Sequence, residues 1–280
     1  MNIGIVGLGL IGGCLGLDLK AKGHYVYGLA RRSETCEQAV KRQVVDSASV
    51  HFSGLRECDV VIVCTPIAAI VPTVEKLAKV VKPDAVITDV GSVKTAIVEA
   101  ATAHWPLFVG AHPMSGKSES GLAAAEPNIF RDRPFVLTPL TTTDSEAMAK
   151  VALIAQQLNS QTYYCTPEDH DRAVAWISHL PVMVSSGLIQ SAMDEPDVEV
   201  LELAQQLASS GFRDTSRVGG GNPELGLMMA QYNRAEMLRS LKRYREVITQ
   251  TITQLEQEDW SAIARTLEAT KEGRINFVRD

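Results

Sequence analysis

The chain has 280 residues, of which 45% are hydrophobic and 21% charged, a composition typical of a globular protein with two domains or one large one. Its formal net charge is −6 and it contains no long basic run, so nucleic acid and anionic membranes are not expected as partners. The five scattered cysteines form no CxxC pair, so neither a disulfide framework nor a zinc site is indicated, and no metal is expected.

The first half of the chain alternates short apolar runs with helical periodicities. Apolar, often β-branched runs predict strands at 2–6, 25–29, 60–64, 85–89, 107–109, 135–138 and 162–165. Between them, helical spacing predicts helices at 10–22, 67–81 and 93–103. This alternation is typical of an α/β protein with a mostly parallel, doubly wound sheet and helices on both faces.

The pattern changes after Pro167. From there to Asp280 we find helical periodicities, among them 234–255 and 261–278, and no convincing strand. The segment 211–223 (GFRDTSRVGGGNP) is predicted to be a loop between helices. Such a strand-free half with apolar helical stripes often pairs with a copy of itself, so we expect a homodimer. With no basic leader and no apolar run near ~18 residues, a cytoplasmic protein is expected.

Residues 7–12 read GLGLIG, directly after a predicted strand and at the start of a helix. In this context Gly7 makes a tight turn, Gly9 lets the backbone approach a pyrophosphate, and Gly12 lets helix and strand pack closely. Leu10 and Ile11 would offer backbone N–H groups to the phosphates. We therefore predict a Rossmann-type dinucleotide-binding domain at residues 1–166, followed by an all-helical dimerisation and substrate domain at residues 167–280.

The end of the second predicted strand distinguishes between the two nicotinamide cofactors. An NAD site usually carries Asp or Glu there, bonded to the ribose 2′-hydroxyl, but here the position is Ala30 and Arg31, Arg32 and Ser33 follow. Two guanidinium groups can bind a 2′-phosphate with charge-assisted hydrogen bonds. The pattern favours NADP; the alternative is that both arginines are solvated surface charges.

Two further segments lie at the carboxyl ends of predicted strands, where open α/β sheets bind ligands. CTP at 64–66 places Thr65 and Pro66 there, and DVGSVK at 89–94 places Ser92 there. Their hydroxyl groups could meet the ribose or the nicotinamide. Thr65 could equally begin a helix with Pro66 at its first position, and Ser92 could cap the next helix.

A third motif, HPMSG at 112–116, follows the next strand. Together with GLGLIG, DVGSVK, SHLP (178–181) and DTSR (214–217), it closely resembles the prephenate/arogenate dehydrogenase family, nearest to the cyanobacterial and plant-like arogenate dehydrogenases. The resemblance covers nearly the whole chain. It implies an oxidative decarboxylation, in which hydride leaves the ring carbon that carries the hydroxyl, the ring carboxylate leaves as carbon dioxide, and the ring becomes aromatic.

The resemblance also implies roles for individual residues. His112 matches the family's catalytic histidine, which takes the hydroxyl proton, and Ser92 matches the serine that bonds the substrate hydroxyl and that histidine. Arg217 matches the arginine that holds a substrate carboxylate, and Asp214 would orient neighbouring groups. His179 matches a histidine near the substrate in some relatives; the alternative is a hydrogen-bonded histidine between helices.

The chain departs from the family pattern at two places. Lys117 and Ser118 stand where some relatives carry an acidic residue, and Gly226 stands where many carry Trp. Both changes concern the substrate pocket. We expect arogenate rather than prephenate as substrate, on the overall resemblance and the NADP prediction, although the Lys117 ammonium would repel the substrate amine if it pointed inward.

Three other functions fit the same two-domain plan. A 3-hydroxyacid dehydrogenase would need a lysine motif after Gly187 that we do not find, and a pyrroline-carboxylate reductase would not use His112. An NADP-binding sensor without turnover is possible on fold alone, but Ser92, His112 and Arg217 in three separate matching motifs argue against it.

Overall fold

The computed structural model describes residues 1–117 and 119–278. In this part of the chain the strands are β1 (Asn2–Val6), β2 (Tyr25–Leu29), β3 (Ser47–Ser49), β4 (Val60–Val63), β5 (Val86–Asp89), β6 (Phe108–Pro113), β7 (Pro134–Thr138) and β8 (Gln161–Tyr164). The helices are α1 (Leu10–Ala21), α2 (Ser33–Lys41), α3 (Ile67–Leu77), α4 (Thr95–His104), α5 (Ser145–Gln157), α6 (Pro167–Val174), α7 (Leu180–Met193), α8 (Val198–Leu207), α9 (Ser210–Ser216), α10 (Pro223–Tyr232), α11 (Arg234–Glu256) and α12 (Trp260–Arg274).

The strands form one sheet in the order β3-β2-β1-β4-β5-β6-β7-β8. All neighbours are parallel except β6 and β7, which run antiparallel. The chain leaves β1 towards β2 and β3, then returns to place β4 on the other side of β1. The order reverses there, and open sheets bind ligands at the carboxyl ends of the strands beside such a point. The predicted doubly wound fold is confirmed.

The sheet is buried on both faces because its central strands are apolar throughout. Every residue of β4 (VVIV) is buried, as parallel strands covered by helices on both sides require. One core packs α1 and α5 against one face and includes Ile3, Ile5 and Leu15. A second core packs α3 and α4 against the other face and includes Val61 and Ile70. These layers hold the strand ends, and the loops that follow them, in fixed positions.

Helices α2 and α5 were not predicted, and α3 ends at Leu77 rather than at residue 81. Three further local features differ from the sequence-based expectation. The short strand β3 is polar (SAS) and carries no hydrophobic signal. Strand β6 extends beyond residue 109 to Pro113 because it pairs with β7, so that His112 lies in the sheet opposite Val136. The loop expected over 211–223 is wrong in its first part, where helix α9 forms, and is confirmed only between α9 and α10.

The helices after Pro167 divide between two compact units, Met1–Arg234 and Ala235–Asp280. Helix α6 packs against α4, and α10 packs against α3, so both belong with the sheet. The second unit holds nearly all of α11 and all of α12. The functional boundary at 166/167 therefore stays a prediction, since compactness divides the chain at a different place.

One helical stretch in the described residues, Pro167–Met193, is long and apolar enough to cross a membrane by length and composition alone, with a mean hydropathy of 1.3. The apolar runs in the sequence predicted no such stretch. Only 28% of its apolar window is buried, but it carries the buried polar side chains His170, Asp171 and His179, which bond to protein partners. One such helix is weak evidence for a membrane span.

Candidate active site

The turn between β1 and α1 contains two glycines, Gly7 and Gly12, at which no larger residue would fit. Gly7 has a φ of +104°, and a Cβ there would lie 2.6 Å from the Cys64 carbonyl oxygen. A Cβ on Gly12 would collide with the carbonyl oxygen of Gly7. The turn is therefore tight and packed directly against the start of β4's loop, as a dinucleotide site requires.

Gly9 differs from the other two glycines because it faces open space. No atom lies within 4 Å of the Cβ that a side chain would add there. Gly9 is the N-cap of α1, and no side chain caps the helix, so the first-turn N–H groups of Leu10 and Ile11 remain available. Space, unpaired donors and the positive end of a helix dipole together suit a pyrophosphate.

The end of β2 carries the residues predicted to choose the cofactor. Ala30 is buried, whereas Arg31, Arg32 and Ser33 are exposed. Arg32 is the N-cap of α2 and Ser33 its first residue, with no side-chain cap. Among the described residues neither guanidinium forms an ion pair. An anion here would meet two unengaged guanidinium groups and a helix N-terminus.

Thr65 and Ser92 lie after β4 and β5, and both hydroxyl oxygens are buried without a hydrogen-bond partner in residues 1–117 and 119–278. Neither caps a helix: α3 begins at Ile67 with Pro66 as its N-cap, and the N-cap of α4 is Lys94. The alternative roles as helix starts are therefore wrong. Buried hydroxyl groups without a partner are rare in folded proteins, so both are available to a ligand in the crevice.

A buried ion pair supports the loop that carries Ser92. Lys94 and Asp89 have fully buried side chains and bond to each other. The Lys94 Nζ also donates to the Ala111 carbonyl at 2.8 Å, and the Asp89 carboxylate accepts from the backbone N–H groups of Gly91 (2.9 Å) and Ala111 (3.1 Å). The pair thereby ties the end of β5 to β6, directly beside His112.

His112 is partly buried near the end of β6. Its Nδ1 lies 2.9 Å from Nε2 of His170, and the two rings meet edge to face with centroids 5.1 Å apart. Burial, followed by the charges of His170, Lys94 and His179, holds the pKa of His112 well below its ordinary value. The imidazole is therefore neutral near neutral pH and can act as a base.

His179 is fully buried at the end of a π-helical segment, Ala175–His179, that joins α6 to α7. Asn233 donates from Nδ2 to the Asp171 carbonyl at 2.8 Å and contacts His179 Nδ1 at 3.0 Å. Since that amide nitrogen can only donate, Nδ1 of His179 accepts and Nε2 carries the proton. Among the described residues Nε2 forms no hydrogen bond of standard geometry, although the Ser92 backbone carbonyl lies close enough to favour the protonated ring; burial outweighs this interaction and lowers the pKa of His179 to about 4.

Arg217 and Asp214, which the sequence placed at the substrate, are exposed. Asp214 bonds to Arg213 at 3.0 Å rather than to Arg217. Their turn is fixed against α7, because Ser185 Oγ donates to the Thr215 carbonyl at 2.8 Å and accepts from a backbone N–H of the following turn. Among the described residues, no hydrogen bond or ion pair joins this turn to His112.

The residues that depart from the family pattern are less disruptive than their chemistry suggests. The Lys117 ammonium pairs with Glu126 at 3.0 Å. Gly226 is buried in α10, where an added Cβ would contact Val182 at 3.6 Å. Ser118 lies outside the described residues. No group of three or more His, Cys, Asp or Glu that could hold a metal ion occurs in residues 1–117 and 119–278.

Sequence reasoning missed Lys94, His170, Asp171 and Asn233, all buried polar residues around the two histidines. The DHD triplet at 169–171 was the available signal. It follows shortly after Pro167, where the pattern predicts only a change to helices.

Comparisons with known proteins agree with this geometry. Residues 15–164 match the model of the prephenate dehydrogenase nucleotide-binding domain, and residues 166–269 match that of the prephenate dehydrogenase dimerisation domain. A prephenate dehydrogenase of Bacillus subtilis (strain 168) is 31% identical, over 96% of this chain and 74% of that protein.

Two solved structures extend the match to the whole fold. Synechocystis arogenate dehydrogenase is 51% identical, with a TM-score of 0.90 over 99% of this chain and all of that one. Prephenate dehydrogenase from A. aeolicus, in complex with hydroxyphenyl propionate and NAD+, is 24% identical, with a TM-score of 0.93 over 99% of this chain and 98% of that one. The expected resemblance is confirmed, and the chain belongs to the prephenate dehydrogenase family.

Proposed function

We propose that this chain converts arogenate to tyrosine by oxidative decarboxylation, with NADP as the hydride acceptor. The observation that carries the proposal is the set of unengaged polar groups at the carboxyl ends of β4, β5 and β6. These are the Thr65 and Ser92 hydroxyls and the Nε2 atom of the neutral His112, and a dinucleotide turn follows β1 beside them. Conversion of prephenate to 4-hydroxyphenylpyruvate at the same site is the alternative.

In this mechanism His112 takes the proton of the substrate hydroxyl. Nε2 of His112 has no hydrogen bond in the described part of the chain, and its low pKa leaves it unprotonated. Ser92 Oγ, which is buried without a partner among the described residues, can form a second hydrogen bond with that hydroxyl. Bound NADP supplies the acceptor for the hydride that leaves the same carbon. Loss of the ring carboxylate as carbon dioxide then completes the aromatic ring.

Two residues can anchor the substrate. His179 presents a buried Nε2–H donor that forms no hydrogen bond of standard geometry in the described residues, so a substrate oxygen placed there would satisfy a buried polar group. Arg217 is exposed and not ion-paired among the described residues, so its guanidinium is available for a carboxylate. Asp214, bonded to Arg213, would position the turn rather than Arg217 itself.

NADP is favoured over NAD by the residues after β2. Ala30 leaves no carboxylate to repel a 2′-phosphate, and Arg31, Arg32 and the N-terminus of α2 offer positive charge to it. The A. aeolicus neighbour was solved with NAD+, which supports a nicotinamide dinucleotide in this fold.

Arogenate and prephenate differ in one place, where the first has an ammonium group and the second a keto oxygen. A cation beside that point would disfavour arogenate. Lys117 is the cation that the sequence placed nearby, and its charge is offset by Glu126. The 51% identity to the Synechocystis arogenate dehydrogenase supports the same choice.

The proposed enzyme is a cytoplasmic homodimer. All five cysteines are free, as in a reducing compartment, and the second half of the chain matches a dimerisation domain. Helices α8 and α12 bury none of their residues. Large apolar side chains are exposed on them and on α11: Val198, Leu203, Leu207, Ile252, Leu255 and Leu267. A stable monomer in light scattering at micromolar concentration would contradict the dimer.

The deciding experiment measures kcat/KM for arogenate and prephenate in parallel, each with NADP and with NAD. We expect the highest value for arogenate with NADP. An equal or higher value for prephenate would overturn the substrate and leave the reaction class intact, and a preference for NAD would overturn the cofactor. Arg217→Ala should raise the substrate KM, whereas Arg243→Ala, which removes another exposed guanidinium, should not.

A further inference from the structure

A chain of hydrogen bonds runs behind His112, away from the crevice. His112 Nδ1 contacts His170 Nε2 at 2.9 Å, and His170 Nδ1 contacts the Asp171 Oδ1 at 2.8 Å. His170 and Asp171 are each 2% exposed. Both lie on α6, whereas His112 lies on β6. Three side chains from two elements therefore form one buried line.

The positions of the protons along this line follow from Asp171, because an ionised carboxylate can only accept hydrogen bonds. An ionised Asp171 only accepts, so Nδ1 of His170 carries the proton. A neutral His170 then has its lone pair on Nε2, which accepts in turn, and Nδ1 of His112 must donate. The lone pair of a neutral His112 is left on Nε2, the nitrogen that no described residue engages.

Asp171 is held in its ionised form by a second set of contacts. Its Oδ1 accepts from the Lys94 backbone N–H at 2.7 Å and its Oδ2 from the Thr95 backbone N–H at 2.8 Å. Burial alone would raise the pKa of Asp171, but the hydrogen bonds from His170, Thr95 and Lys94 outweigh it and hold the pKa below its usual range. The first turn of α4 contributes its positive dipole end as well.

The remaining charges near the line do not alter this assignment. The Lys94 ammonium is paired with Asp89, and His179 is neutral near neutral pH because burial lowers its pKa. Asp171 is therefore the one carboxylate that contacts either histidine of the line in the described residues.

We propose that His170 and Asp171 are positioning residues for the reaction, which fix the His112 proton on Nδ1 and leave the Nε2 lone pair for the substrate hydroxyl. The proposal rests on the proposed function of His112 as the base. When the hydroxyl proton moves to Nε2, His112 becomes an imidazolium. Its Nδ1–H bond to His170, with the Asp171 carboxylate behind, then stabilises the new positive charge. No other atom changes hands along the line.

A purely structural role for the pair makes different predictions. Asp171 caps α4, so its removal would lower stability in either case and cannot decide the matter. The ring nitrogens of His170 form its side-chain hydrogen bonds to His112 and Asp171. His170→Leu removes the acceptor for His112 Nδ1, whereas His170→Gln can place an amide oxygen where Nε2 was. The two variants therefore separate hydrogen bonding from packing.

The experiment combines steady-state kinetics with 15N NMR of histidine-labelled enzyme. In the wild type the His112 signals should show Nδ1 protonated and Nε2 unprotonated. We expect His170→Leu to lower kcat by roughly 10–100-fold, by analogy with the partners that orient metal-bound histidines, with KM and NADP Kd unchanged and with the His112 proton shifted to Nε2. His170→Gln should recover most of kcat. His104→Leu, an exposed histidine on α4, should change neither readout.

The outcomes distinguish this inference from the function on which it rests. If His112→Asn keeps near-full turnover, the base assignment fails. If His112→Asn loses turnover while folded His170→Leu keeps full kcat, the base stands and the positioning role is overturned. Should His170→Leu not fold, the wild-type spectrum decides, because a His112 proton on Nε2 contradicts the proposal directly.

Discussion

The dinucleotide turn and the histidine centre lie on the same edge of one sheet but work by opposite means. In the turn at 7–12 the backbone is proposed to bind the cofactor, and glycines provide room because they have no side chain. In the proposed centre the side chains of His112 and His179 carry the chemistry, and a buried partner fixes Nδ1 of each ring. A turn of this kind can be recognised from spacing, whereas a centre of this kind needs three-dimensional contacts.

The comparison also shows where each region is sensitive. A substitution in the turn acts through steric contact, so its effect depends on the space around each Cβ. A substitution in the centre acts through hydrogen-bond and charge complementarity, and its effect is greatest where a buried polar group would lose its partner. Variants in each region can test that contrast.

The largest effect is expected at the base. His112→Asn should keep the fold and NADP binding but lower kcat by roughly 10²–10⁴-fold, because the substrate hydroxyl loses its proton acceptor. Cofactor titration and stopped-flow turnover measure the two quantities separately. Since the pKa of His112 is held low, wild-type kcat/KM should remain high at a pH where a solvent-exposed histidine would already be protonated. Near-full activity of the variant would mean that another group takes the proton.

The second effect is a loss of stability in acid caused by His179. Its pKa is ordinary, about 6.5, in the unfolded chain and about 4 in the folded one. Above the unfolded value both states are neutral, and stability is complete. Between about pH 6.5 and 4 the unfolded chain takes up a proton that the folded one refuses, so roughly 3 kcal/mol is lost.

Urea unfolding of the cofactor-free enzyme at about pH 7 and about pH 4 measures this loss. The pKa of Asp171 is lowered by folding, so the stability that this carboxylate contributes is lost only below the pKa of the unfolded chain and hardly changes within this pH window. Folding also lowers the pKa of His112, so His112 adds to the loss of stability in acid. His179→Gln should reduce the difference between the two conditions. An unchanged difference would show that His179 is not protected from protonation.

The third prediction separates two glycines of the turn. Gly9 has a φ of −94° and open space where a Cβ would be, so Gly9→Ala should fold normally. It should weaken NADP and NAD alike by about 1–3 kcal/mol, the usual cost of an overpacked contact. Gly12→Ala should instead lower Tm, because its Cβ meets the Gly7 carbonyl within the protein. Normal cofactor affinity in Gly9→Ala would mean that the pyrophosphate does not approach this turn.

The smallest effect concerns the choice of cofactor. Arg32→Ala should weaken NADP binding by ~1–3 kcal/mol, as for one lost charge-assisted contact, and should hardly alter NAD binding. Isothermal titration with both cofactors makes the measurement, and Arg56→Ala provides a control arginine elsewhere on the surface. Equal losses for NADP and NAD would assign Arg32 to something other than the 2′-phosphate.

The sheet and the cofactor turn could be predicted from sequence because their signals are local. The runs VVIV and GLGLIG each specify structure within a few residues. Strand β3 (SAS) could not be found in this way, since these three residues form a strand only because β2 lies beside them. Helix α9 was missed for a related reason: Ser185, about 30 residues away, holds its last turn.

In the candidate site, too, residues with a local signal could be predicted and residues without one could not. His112 was found through a motif, and His179 through its resemblance to relatives. The contact between His112 and His170 joins residues 58 positions apart on different elements, and the cap of Asp171 on α4 spans 77 positions. No period or spacing in the sequence encodes such contacts. Only the assembled sheet shows that the base has a partner.

The double cap of Asp171 on the first turn of α4 also has a consequence for motion. Two short hydrogen bonds pin the middle of α6 to the start of α4, and sliding these helices apart would expose a buried carboxylate. The hinge for any opening and closing around substrate therefore has to lie beyond α6. Hydrogen exchange should show it: the amides of Lys94 and Thr95 should exchange only with global unfolding, while those of the turn after α9 exchange through local opening.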